Sequence, residues 1–261
     1  MRVIRLTLAY DGTDFRGWAQ QRDPRVRTVE GSLVEVLARV LRHDVRVSVA
    51  GRTDAGVHAW GQVASFLTPS RLAPERMQRA INGFLSPEIA VVDAREAREG
   101  FDARFSATAR EYRYVIDTAP VADPFTARYV WHRPAELSVG PMRTAARLLM
   151  GEHDFTSFCR HPGQGKPAVR DLQRVSVARE GSTVIVRFRA NAFLHQMVRT
   201  IVGTLVRVGE GRLEPQDVRT MLETRKRFVI SQPAPSRGLT LERVAYGPRS
   251  RAGDGDEGRQ L

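Results

Sequence analysis

At 261 residues, 42% of them hydrophobic, the chain has enough apolar material for one large domain or two closely packed ones, which excludes wholesale disorder. A single cysteine, Cys159, excludes an internal disulfide framework and fits a reducing compartment. A net charge of +12 points to a polyanionic partner, nucleic acid first; codon usage can explain why all but two of the 41 basic residues are arginine, but not their excess over acids.

The N-terminal MRVIRLTLAY alternates Ile4, Leu6, Leu8 and Tyr10 with Arg5, Thr7 and Ala9. That is a strand pattern and not the apolar run of an export signal. No stretch approaches the roughly eighteen apolar residues of a membrane span, so a soluble, cytoplasmic protein with no membrane partner is expected. After a loop rich in Gly, Asp and Arg, Leu33, Val36, Leu37, Val40 and Leu41 fall on one helical face. Thr28 is a candidate N-cap, and Ser32 with Glu35 a candidate capping box one turn later. Val45, Val47 and Val49 alternate as a strand that runs into AGRTDAGVHA, residues 50–59, so Asp54 is expected in a loop just past a strand end. GQVASF reads as a returning strand. PERMQRAINGFL is helical, opened by Pro74, with Met77, Ile81, Phe84 and Leu85 on one side. IAVVDAREA and REYRYVI read as strands, and GPMRTAARLLMG as a helix closed by Gly151. DLQRVSVARE and STVIVRFRA form a hairpin about Gly181 and Ser182. AFLHQMVRTIVGTLVRVGEG reads as the longest helix, with Phe193, Met197, Ile201, Leu205 and Val208 as its apolar stripe. A short helix after Pro215 and a last strand, TLERVAY, follow. Residues 162–167 read as a flexible loop and the tail, 249–261, as disordered. Strands joined by hairpins and loops, without a regular βα repeat, make this an α+β fold with an antiparallel sheet.

Metal and cofactor chemistry find little support in the motifs. His43, His58, His132, His153, His161 and His195 show neither HxxxH nor HExxH spacing, and one cysteine cannot build a zinc ribbon. Phosphate-binding glycine loops and the GxSxG elbow are missing. No metal and no cofactor are expected.

Three segments remain. In AGRTDAGVHA, turn chemistry alone can select Gly51, Thr53, Asp54 and Gly56. Against that, Arg52 lies two residues before the acid, and small residues on each side would let an RNA backbone come close. In REYRYVI, Tyr112 and Tyr114 share one strand face, either as core aromatics or with one of them stacking on a base. In NAFLHQMVRTIVG, Arg199 has apolar neighbours; it either snorkels to solvent or sits partly buried against an acid. Phe193, His195 and Cys159 are assigned to packing or local hydrogen bonds.

Taken together with YDGTDFRGWAQQ, TVEGSL, INGFLSP, GFDARFSATAREYRYVI and GEHDFTSF, these segments resemble successive blocks of the tRNA pseudouridine synthase A family, in order from Tyr10 to about Tyr246. The resemblance implies isomerisation of uridine to pseudouridine at positions 38, 39 and 40, in the tRNA anticodon arm, by a homodimer that needs no cofactor. It implies that Asp54 is the catalytic aspartate, Tyr112 the residue stacked on the target base, and Arg52 an arginine associated with flipping the nucleotide out. Arg199 would pair with the aspartate, and Leu239 would line the base pocket. The implied fold is two ferredoxin-like halves, 1–105 and 106–248, forming one extended antiparallel sheet with helices on one face and a central catalytic cleft. Trp60 departs from the residue type common in the family, and the tail has no counterpart there. Two rival readings stay open: a non-catalytic RNA-binding or chaperone protein, and a pseudouridine synthase acting on ribosomal RNA.

Overall fold

The structure, a computed structural model, describes residues 1–23, 25–160, 168–226, 228 and 232–247. The alternation at the N-terminus becomes β1 (Arg2–Tyr10), with Ile4, Leu6 and Leu8 fully buried. Each contributes about 1.5–3 kcal/mol through removal from water. β1 pairs antiparallel with both β3 (His58–Thr68) and β4 (Ile89–Ala97). Helix α1 (Val29–Leu41) is capped by Thr28, whose side chain accepts from the Gly31 amide at 3.1 Å, so the helix starts one turn before the Ser32–Glu35 alternative. α2 (Pro74–Leu85) begins at its proline as the pattern predicts. Of the VRVSVA stretch only β2 (Ser48–Val49) pairs, as a short extension on β3.

The second half of the sheet is built on β5 (Ala107–Asp117), β8 (Val169–Glu180) and β9 (Thr183–Ala190). The β8–β9 hairpin turns at Gly181, in the left-handed region at φ +59°. β6 (Trp131–His132) adds to β5, and β7 (Gly151–Asp154) to β8. Helices α3 (Val139–Leu148), α4 (Met197–Gly209) and α5 (Pro215–Thr224) complete this part. The last strand, β10 (Leu239–Tyr246), inserts between β3 and β5. The sheet order is β4-β1-β3-β10-β5-β9-β8-β7, with β2 and β6 off the path.

The result is an α+β fold on one ten-stranded sheet. The sheet is mixed: β10 runs parallel to β3 and β6 parallel to β5, whereas the other pairs are antiparallel. A hairpin forces antiparallel pairing; β3 and β10, far apart in sequence, carry no such constraint. One core cluster joins the shared face of β1 and β5 with Leu33 and Leu37 of α1, Ile81 of α2, and Ile201 and Leu205 of α4. The opposite face carries charge: Arg189 pairs with Glu111, and the Arg113 guanidinium lies 4.3 Å from the Trp60 ring centroid. The expected long helix is shorter than its sequence pattern. It starts at Met197, after Gln196 in a left-handed conformation (φ +61°), which leaves Phe193, Leu194 and His195 outside it. Among the described residues no helix is long and apolar enough to cross a membrane. The 162–167 loop and the 249–261 tail lie outside the described residues.

Candidate active site

The segment joining β2 to β3 is a turn, as its composition demands, and the turn aims a carboxylate. The Val57 amide donates to the Asp54 carbonyl at 3.1 Å, and the Trp18 amide to the Thr53 carbonyl at 3.0 Å. The Tyr10 hydroxyl and Thr53 Oγ1 are 2.8 Å apart, and Gln62 Nε2 donates to the Gly51 carbonyl at 2.6 Å. Gly56 sits at φ +75°, where a Cβ would also lie 2.7 Å from Ser236 Oγ; this glycine is required by the backbone and by Ser236, before any RNA is considered. With the backbone held on both sides, the Asp54 side chain keeps 24% of its surface open to the cavity.

Arg199 reaches that carboxylate from the first turn of α4. Its Nη1 donates to Asp54 Oδ2 at 2.9 Å, and its Nε to the Ala234 carbonyl at 2.7 Å. A cation in the first turn of a helix opposes the helix dipole, so local helix energetics do not favour arginine here; its partners across the cavity do. His195 Nε2 lies 3.5 Å from the other oxygen, Asp54 Oδ1. The left-handed Gln196 is what swings His195 and Phe193 out of the helix and into the cavity wall.

Tyr112 enters the cavity from β5, between β10 and β9, with Leu241 and Phe188 as its register partners. Its ring meets Phe193 edge-on at 86°, with centroids 5.1 Å apart, and is 7% exposed. Burial pushes the Tyr112 hydroxyl well above its ordinary pKa, with Tyr10 as a further cause, so the phenol stays protonated at neutral pH. Burial likewise pushes Tyr10 up to about 12. Arg52 is exposed and Leu239, at the start of β10, is buried; both line the same cavity.

Asp54, Arg199, Tyr112, Arg52 and Leu239 thus come together around one cavity of about 1230 Å³. Three neighbours escaped the sequence reading. By residue type His195 and Phe193 default to packing or local hydrogen bonds, and Phe193 does pack on Tyr112; the turn at Gln196 that brings both to the cavity has no strong signal in its residue type. Tyr10 read as a strand aromatic, and nothing local linked it to Thr53, 43 residues away. Among the described residues no group of three or more His, Cys, Asp or Glu could hold a metal ion.

This chain belongs to the tRNA pseudouridine synthase family, whose model matches residues 7–106 and 145–247. The family's enzymes are isomerases that convert uridine to pseudouridine. Among its relatives, tRNA pseudouridine synthase A of Geobacillus kaustophilus (strain HTA426) is 44% identical over 245 residues, which cover 93% of this chain and 94% of the relative. The enzyme of the same name from Brevibacillus brevis (strain 47) is 44% identical over 246 residues, 94% of this chain and 100% of the relative. That of Methylacidiphilum infernorum (isolate V4) is 42% identical over 245 residues, 94% and 95% of the two chains.

Proposed function

We propose that this chain isomerises uridine to pseudouridine at positions 38, 39 and 40 of the tRNA anticodon stem-loop, with Asp54 as the catalytic aspartate. The observation that carries the assignment is the 2.9 Å pair between Arg199 and Asp54, held open to a cavity whose wall carries Tyr112. The reaction breaks the N1–C1′ bond, turns the uracil, forms C5–C1′, gives up the C5 proton and leaves N1 protonated, with no net oxidation and no net change in protons. Its first step needs an ionised carboxylate, either to attack the nucleotide or to take a proton from the ribose. Arg199 supports both by aiming the Asp54 carboxylate through the 2.9 Å bond to Oδ2.

The target base must leave its stack, at a cost of a few kcal/mol. Stacking on Tyr112, with Leu239 beneath the base and Arg52 at the displaced backbone, offsets part of it. Tyr112→Ala is expected to slow single-turnover isomerisation by roughly 5- to 150-fold, the equivalent of the 1–3 kcal/mol that base–aromatic stacking supplies. Tyr112→Phe should bind equally well, and any rate it loses measures the hydroxyl's part in proton transfer. An alanine variant with the wild-type rate would remove Tyr112 from the site.

Arg16, Arg52, Arg104, Arg160 and Arg170 also line the cavity, where the acids among the described residues are Glu30 and Asp54. This is a phosphate-binding wall. If about five phosphates are contacted, log affinity for tRNA should fall against log salt with a slope of roughly −4. Filter binding across a salt series checks this, and a flat response would refute the electrostatic grip.

The same reading takes residues 1–105 and 106–248 as two ferredoxin-like halves, and it is supported by a sheet order in which β10 stitches β3 to β5. It places the enzyme in the cytoplasm as a homodimer, so that one tRNA touches both subunits; sedimentation with and without tRNA tests that. Tritium release from tRNA carrying 5-³H-uridine, wild type against Asp54→Asn, tests the activity itself. A tRNA whose uridines at 38–40 are replaced by cytidine tests the position.

A further inference from the structure

Arg110 has no part in the chemistry above, yet it is the most heavily committed cation at the cavity. It is 8% exposed and sits on β5 two residues before Tyr112, so both side chains share one strand face. Its guanidinium donates only to backbone carbonyls. Nε and Nη2 reach Ala50 at 3.1 and 2.8 Å, and Nη2 also reaches Arg104 at 2.9 Å. Nη1 reaches Ala107 at 3.2 Å and Asn191 at 2.7 Å. Among the described residues no carboxylate pairs with it. Burial works against its charge and lowers its pKa.

Burying a cation without a counter-ion is costly, and an apolar residue in the same strand position would avoid that cost. The carbonyls it binds show what is gained. Ala50 opens the turn that presents Asp54. Asn191 opens the segment that carries Phe193 and His195 past Gln196 into α4, and so places Arg199. Arg104 and Ala107 lead into β5 and Tyr112. These three stretches of chain approach the cavity from different elements, and one planar fork of five donors joins them all. Lysine, with three donors on a flexible stem and no fork, cannot reproduce that pattern.

We propose that Arg110 is a positioning residue for the isomerisation: its guanidinium holds the Asp54 turn, the Phe193–Arg199 approach and β5 in the one arrangement in which Asp54 and Arg199 meet. The proposal rests on the assignment of Asp54 and Arg199 as the reacting pair. It predicts a loss in the chemical step far larger than any in tRNA capture, because of the five arginines that face the phosphates only Arg104 has its backbone bound by Arg110.

The test measures single-turnover rates and tRNA dissociation constants for Arg110→Lys and Arg110→Gln, each alone and combined with Arg199→Met, beside Asp54→Asn. Arg110→Lys is expected to fold and to bind tRNA within about threefold of wild type, while its rate falls by about thirtyfold or more, the scale expected when a reacting group is displaced by a fraction of an ångström. In the Arg199→Met background the same substitution should cost less than about threefold, since the pair it aligns is already absent and coupled sites are non-additive. Arg110→Gln should fall at least as far as Arg110→Lys. A near-normal rate for Arg110→Lys overturns the proposal. So do a parallel fall in affinity and rate, an equal loss in both backgrounds, or failure of both variants to fold, which would assign the arginine to the fold alone. If Asp54→Asn stays active, the underlying site assignment fails; if Asp54→Asn is dead and Arg110→Lys normal, only the role of Arg110 fails.

Discussion

Replacing Asp54 by Asn is expected to abolish tritium release from tRNA carrying 5-³H-uridine, by at least ~10³-fold, the scale of a group that acts directly on the reacting atoms. The substitution is close to isosteric, so it isolates the charge. The turn that carries Asp54 is held by the Thr53 carbonyl, the Asp54 carbonyl, the Gly51 carbonyl and the Thr53 hydroxyl, none of which involves the carboxylate. An asparagine amide oxygen can still accept from Arg199. Fold and tRNA affinity should therefore survive, and the lost rate can be read as lost chemistry. The experiment also separates the rival classes. A non-catalytic RNA-binding or chaperone protein would release no tritium in either form and would keep its RNA-remodelling activity in the variant. A synthase acting on ribosomal RNA would release tritium only from that substrate. Full release by the variant would remove Asp54 from the mechanism.

The second large effect is expected at Arg199. Arg199→Met keeps the length and apolar stem of the side chain but removes the 2.9 Å bond to Asp54 and the 2.7 Å bond to the Ala234 carbonyl. Turnover should fall by about 10²-fold, because a reacting group displaced by about 1 Å loses roughly that much. Stability should change far less than the rate, because relief of the helix dipole offsets part of the two lost hydrogen bonds. The arginine is a cation in the first turn of α4, and relieving that opposition to the helix dipole is worth about 0.3–1 kcal/mol. A variant that is slow yet nearly as heat-stable as wild type, measured by thermal melts beside single-turnover rates, is the expected combination. Arg199→Lys should recover part of the rate, since it restores charge without the fork. Near-normal turnover in Arg199→Met would leave Asp54 aligned by something else, with His195, 3.5 Å from Asp54 Oδ1, as the group to test next.

Much of the fold was legible because its signals are local. β1 follows from alternation, α2 from a proline at its first turn, and the β8–β9 hairpin from Gly181. Where the reading slipped, a local signal was overruled by a contact from elsewhere. The apolar stripe from Phe193 to Val208 has helical spacing throughout, yet the helix starts at Met197. The residues before it are engaged by the cavity: Phe193 by the Tyr112 ring and His195 by Asp54. The valines at 45 and 47 alternate like a strand, but only the pair after them finds a partner, because the β3 edge is met late.

For the site, the residue types and the family blocks were enough to select Asp54, Tyr112, Arg199, Arg52 and Leu239 as candidates. The resemblance named Asp54 as the acid that Arg199 would meet, and the structure places the two together; with 145 residues between them, no local signal in the chain could have done so. Nor could such a signal reveal that Arg110, an unremarked position on a strand, would gather carbonyls from three segments. Propensity, periodicity and charge act over a few residues, and they sufficed for β1, α1, α2, the β8–β9 hairpin, the basic composition and the loop in which the carboxylate sits. That β10 stitches β3 to β5 has no local signal and follows from long-range pairing alone. The same fold brings the acid, its arginine and the aromatic wall to one cavity, because those contacts exist only once distant strands have closed into a single sheet.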